Sequence, residues 1–91
     1  MRAYIVSYDL NKPGQNYENL YEELKKSPRW WHFWDATWII ATSESPKQIW
    51  SRMKPHTDSS DNVLIIRACA DYSGFLPKKA WEWIAANVPG C

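Results

Sequence analysis

The sequence predicts one α+β domain, and three observations carry that prediction. Its 91 residues suit a single domain, read as residues 1–91 throughout. Short segments rich in β-branched and aromatic residues are separated by segments with helical spacing, the pattern of a sheet with helices laid against it. Apolar residues make up 45% and charged residues 23% of the chain, the balance of a folded domain rather than a disordered tail.

The elements follow in order. Residues 2–9 read as a strand, with Tyr4, Val6 and Tyr8 alternating with Ala3, Ile5 and Ser7, and with both faces at least partly buried. The cluster Asn11-Lys12-Pro13-Gly14 ends it as a turn. Tyr17, Leu20, Tyr21 and Leu24 fall at i, i+3, i+4 and i+7, with acids early and lysines late, which describes an amphipathic helix aligned with its dipole. Ser27-Pro28 closes it, and two strands at about 30–34 and 37–42 follow, joined at Asp35-Ala36. Ser45-Pro46 reads as an N-cap with proline at the first helical position, Ile49, Trp50 and Met53 give the second helix its apolar side, and Pro55 stops it. After the polar loop 58–62, Val63 to Cys69 is an apolar run of strand length. The order β-α-β-β-α-β is the ferredoxin-like split arrangement, one antiparallel sheet with both helices on one face. Pro77 then opens an added C-terminal helix carrying Ala80, Trp81, Ile84 and Val88 on one side.

Composition narrows the function classes. A formal charge of +1 argues against a protein that grips long duplex DNA through many phosphates. Seven tryptophans, five tyrosines and two phenylalanines fill a small core efficiently, and the same residues suit base stacking or a homodimer interface. Two cysteines, Cys69 and Cys91, are too few for a disulfide framework or a zinc site and read as free thiols. No apolar run spans a bilayer and no signal-peptide cleavage pattern follows Met1, so a cytoplasmic location with no membrane partner is expected.

A first strand ending in Tyr8-Asp9-Leu10, a leucine-spaced helix, the hairpin Thr37-Trp38-Ile39-Ile40-Ala41-Thr42, a short helix and Asp61-Asn62-Val63-Leu64-Ile65-Ile66 together resemble the CRISPR-associated protein two superfamily. That superfamily includes virulence-associated protein D toxins and small SinR-like proteins. Trp31-His32, Gly74-Phe75-Leu76-Pro77 and Trp81-Glu82-Trp83 bring the SinR-like group nearest. The resemblance covers nearly the whole chain and implies a homodimer in which Asp9 lies near the dimer axis, facing its symmetry mate. Two such carboxylates would be protonated, separated by water or bridged by a hard cation such as Mg²⁺. Such a metal would polarise a phosphodiester and activate water, making Asp9 the catalytic and metal-binding residue. Read from the residues alone, Asp9 also caps the Asn11-to-Gly14 turn.

Other candidates carry paired readings. Ser7 and Tyr8 offer hydroxyls to orient phosphate or water beside Asp9. Arg29, Lys47, Arg52 and Lys54, with His56 and Arg67, would position phosphates without reading sequence, or form an ordinary solvated surface. Asp71 would join Asp9 as a second acid if its loop reached the end of the first strand or the dimer partner; Asp71-Tyr72-Ser73-Gly74 is equally a turn. His32 would serve as an acid or base, or as a half-buried imidazole bonded to backbone or to Asp35. Three functions compete: a homodimeric Mg²⁺-dependent nuclease; a non-catalytic dimer that holds RNA or DNA, a protein, or a small cyclic nucleotide, in the manner of a phage anti-defence sponge; and a structural adaptor whose tryptophans build the dimer.

Overall fold

The computed structural model describes every residue except Pro13 and Gln15. Strand β1 (Arg2–Asp9) lies inside a four-stranded antiparallel sheet of order β2-β3-β1-β4, with β2 at Arg29–Trp34, β3 at Thr37–Thr42 and β4 at Asn62–Ala68. Three helices accompany it: α1 (Glu18–Lys25), α2 (Pro46–Met53) and α3 (Lys78–Asn87). A single 3₁₀ turn at Lys54–His56 ends α2, where Pro55 was expected to stop it. The chain is therefore α+β, and among its described residues no helix is long and apolar enough to cross a membrane. Pro13, one of the four residues of the expected turn after β1, lies outside the described residues, and Gly14 beside it holds φ at 77°, where a side chain would strain the backbone.

Alternation along β1 divides the core in two. Tyr4, Val6 and Tyr8 point to the first face, where Leu20 and Leu24 of α1, Ile49 and Met53 of α2, and Trp38 and Ile40 of β3 bury them. Ala3 and Ile5 point to the second face, where Ile39 and Ala68 surround them and Ile84 and Val88 of α3 cover them. Both expected helices thus share one face, and α3 takes the other. The entry of α2 is fixed by a capping box: Ser45 Oγ accepts from the Gln48 amide at 3.2 Å while the Ser45 amide donates to Gln48 Oε1 at 2.8 Å.

The expectation of free thiols is corrected. Cys69 and Cys91 form a disulfide, with Cα atoms 5.4 Å apart. They are 22 positions apart in the sequence. They meet because α3 runs back along the sheet and returns the C-terminus to the end of β4, where the Ala70 amide donates to the Pro89 carbonyl at 2.9 Å.

Candidate functional site

Registers place every second-face side chain in cross-strand rows. Asp9 stands opposite Asn62; Leu64, Ser7, Thr37 and Trp34 form the next row; Ile66, Ile5, Ile39 and Trp31 the third; Ala68, Ala3, Ala41 and Arg29 the last. Helix α3 buries the rows nearest the start of β1, and the rows toward Asp9 stay open. Leu64 is 58% and Ile66 51% exposed on edge strand β4, and at the opposite edge, on β2, Trp34 is 45% and Phe33 60% exposed. Trp31 links this rim to the covered core, contacting Phe33 at 5.9 Å and Trp34 edge-on at 5.4 Å between ring centroids. At the far end of β1, Ser7, Asp9, Asn62 and Leu64 line an open cleft of about 230 Å³.

The Asp9 carboxylate is engaged in the turn that follows it. Asn11 Nδ2 donates to Asp9 Oδ2 at 2.9 Å, to the Asp9 carbonyl at 3.2 Å and to the Ser60 carbonyl at 3.1 Å. This amide therefore staples the end of β1 to the loop before β4. Asp61 continues the staple, its Oδ1 accepting from the Asn11 amide and from the Tyr17 hydroxyl, each at 2.7 Å, and its Oδ2 from the Asp58 amide at 2.7 Å. Asp58 in turn accepts from the Ser60 amide and hydroxyl and pairs with Lys12 at 3.2 Å. The Ser60 amide, its hydroxyl and the Lys12 ammonium hold the Asp58 carboxyl down to about 2. For Asp61 partial burial works against ionisation, yet the hydrogen bonds from Asn11, Asp58 and Tyr17 outweigh it and lower the pKa. In the sequence these aspartates read only as a polar loop, because Asn11, the partner of Asp61, lies fifty positions away, and Lys12, the ion partner of Asp58, lies beside it.

Tyr8 points to the other face. Its hydroxyl donates to the Asp35 carbonyl and accepts from Trp38 Nε1 at 3.0 Å, and burial pushes its pKa well above the ordinary phenol value. His32 stacks on Trp38 with centroids 3.9 Å apart and planes 9° off parallel, and its Nε2 lies 3.2 Å from the same carbonyl. Both residues fasten the β2–β3 hairpin. Tyr8 thus offers no hydroxyl to a phosphate beside Asp9, and His32 sits as the half-buried imidazole its sequence setting suggested.

The basic candidates are dispersed. Arg52 is spent inside the fold: its Nε reaches both Glu44 oxygens at 3.1 and 3.2 Å, one terminal nitrogen bonds Ser27 Oγ at 2.7 Å, and the other donates to the Glu23 carbonyl at the end of α1. Lys47 and Lys54 are exposed on and just after α2, on the opposite side of the sheet from the Asp9 side chain. Arg29 pairs with Asn87 of α3 at 3.1 Å, in the row farthest from Asp9. Asp71 follows Cys69 at the end where β4 meets Ala3, and the six residues from Ala3 to Asp9 span about 20 Å of strand. Within one chain, then, Ser7 and Asp9 come together, while Asp71, Arg29, Lys47, Arg52 and Lys54 do not join them.

The Mg²⁺ implied by the resemblance needs several oxygen donors. Asp9 is the one carboxylate of the cleft it shares with Ser7 and Asn62, a second cleft of about 350 Å³ holds Asp9 and Asp35, and among the described residues no group of three His, Cys, Asp or Glu side chains is arranged to hold a metal. No family profile, curated protein or solved structure matches the chain.

Proposed function

We propose that this chain is a homodimeric, non-catalytic binding module with a ferredoxin-like sheet and an added C-terminal helix, akin to the CRISPR-associated protein two superfamily. Sheet order β2-β3-β1-β4 with α1 and α2 on one face supports the fold assignment. The observation that carries the function is the open part of the second face, where Leu64 and Ile66 stand more than half exposed on β4 and Phe33 and Trp34 are exposed on β2 at the opposite edge, with Ser7 and Thr37 between them. Exposed apolar and aromatic side chains at both edges of one sheet face suit a protein contact. A second copy is the partner that fits: a net charge of +1 brings little repulsion between copies, and this open strip runs the width of the sheet. Binding rather than cutting is favoured by Asp9 being tied to Asn11 and by Arg52 being consumed within the fold.

The nuclease reading survives as the second, on one observation. Asp9 and Ser7 end the same strip, so a dimer built across it would bring two Asp9 carboxylates toward each other and allow a shared cation.

Light scattering and sedimentation on wild-type protein and on Leu64→Asp test the dimer. A wild-type dimer and a folded monomeric variant are expected; a wild-type monomer at high micromolar concentration overturns the proposal. Labelled RNA and DNA, with Mg²⁺ or chelator, separate the two readings. Intact strands with a mobility shift, or a nucleotide-induced rise in Tm, support the binding module, whereas Mg²⁺-dependent cleavage lost in Asp9→Ala replaces it with the nuclease.

A further inference from the structure

We infer that the Cys69–Cys91 disulfide is a redox latch that holds α3 over the second face of the sheet. Helix α3 has little to keep it folded by itself. It is 10 residues long, short of the length at which isolated helices persist in water. No side chain caps its N-terminus, its first turn carries Lys78 and Lys79 and no acid, and its last turn carries no base, so its charges oppose its dipole. One exposed i,i+4 pair, Lys78 with Glu82 at 3.8 Å, supports it. By contrast α2 has its capping box and its proline. Helix α3 stays in place because Ala80, Ile84 and the following Val88 are buried, because Arg29 of β2 donates to Asn87, and because the disulfide fastens the chain just past its C-terminus to the end of β4.

The disulfide makes that tie. Its two sulfurs close a loop containing the 70–77 segment and the whole of α3, and the Ala70–Pro89 backbone bond lies beside it. Closing a loop of 22 residues lowers the population of states in which the segment is released by roughly 300-fold. A thiol reductant of the dithiol class reverses this: two electrons and two protons enter, the S–S bond breaks, two cysteine thiols form, and the reductant leaves as its own disulfide. Released, α3 uncovers Ala3, Ile5, Ile39 and Trp31, extending the strip that already begins at Leu64 and Ile66. The latch does not depend on what occupies that strip.

Hydrogen exchange followed by mass spectrometry tests the latch on the full chain, oxidised and under dithiol, with the Cys69→Ala/Cys91→Ala double variant as control. Amides of Lys78–Asn87 are expected to lose at least ~100-fold in protection on reduction, while those of β1 and β3 keep theirs. The double variant is expected to match the reduced protein under both conditions. Equal protection of α3 in both redox states overturns the inference, as does parallel loss in β1. So does rapid alkylation of both cysteines in the folded, air-oxidised protein.

Discussion

Replacing Arg52 by methionine removes a guanidinium while keeping much of its aliphatic stem, and so isolates what its hydrogen bonds contribute. Three attachments are lost: the Glu44 carboxylate, the Ser27 hydroxyl and the carbonyl of Glu23 that ends α1. Hydrogen bonds to a charged group contribute about 1.5–3 kcal/mol each, but exposed ion pairs only about 0–1 kcal/mol. The Arg52 side chain is 18% exposed and that of Glu44 30%, so water recovers much of the Glu44 contact. Ser27, only 6% exposed, recovers little. The net cost is about 2–3 kcal/mol. For a domain of this size that lowers Tm by about 10–20 °C, since each kcal/mol moves it about 4–8 °C. Arg52→Lys is expected to restore less than half, because an ammonium cannot fork between Glu44, Ser27 and the carbonyl. Thermal and urea unfolding at neutral pH, followed by circular dichroism, measure both variants. A methionine variant within about 0.5 kcal/mol of wild type refutes the reasoning and returns Arg52 to the pool of surface cations open to phosphate.

Three further outcomes are expected. Tyr8→Phe leaves Trp38 Nε1 buried without its acceptor and costs about 1–3 kcal/mol; urea unfolding monitored by tryptophan fluorescence checks this, and a neutral result removes Tyr8 as the hairpin's fastener. Ser45→Ala removes the half of the capping box made by its hydroxyl, keeps the bond from its backbone amide to Gln48 Oε1, and costs about 0.5–2 kcal/mol, with Gln48→Ala costing less. The folded pKa values of Asp58, Asp61 and Glu23 lie below the ordinary values of 3.8, 3.8 and 4.5, so their stabilisation is complete above those values and falls away as pH drops through the lowered ones, about 2 for Asp58. Acid titration of Tm should therefore decline below about pH 4.5, and Asp58→Asn should flatten that decline; an unchanged acid profile contradicts the staple.

Periodicity made the elements legible. The alternation Tyr4-Val6-Tyr8 and the spacing of Leu20 and Leu24 each report a local geometry, and the strands at 2–9 and 37–42 and the helix opened by Ser45-Pro46 and ending at Met53 fell where local rules put them. What stayed hidden depends on where distant segments arrive. Asp71 looked like a companion for Asp9 until the register set β4 antiparallel to β1 and sent its end to Ala3. Cys91 looked unpaired because only the return path of α3 brings it to Cys69. Arg52 looked like one cation of a patch because two of its partners, Glu23 of α1 and Ser27 just after it, lie 29 and 25 positions away, and Glu44 stands across α2 from it. Of the site, sequence reasoning found Asp9 and its turn but missed Asn11 as the residue that joins them to Asp61.

The uneven enclosure of β1 divides the strand by how much change it tolerates. From Ala3 to Val6 side chains meet packed neighbours on both sides, so substitutions at successive positions strike a core and a mutational scan should record one unbroken block of intolerance. Beyond Val6 only the α1–α2 side stays closed, and intolerance should become every second residue. Ser7 and Asp9 are then the positions at which new chemistry can be tried by descent without endangering the sheet that carries them.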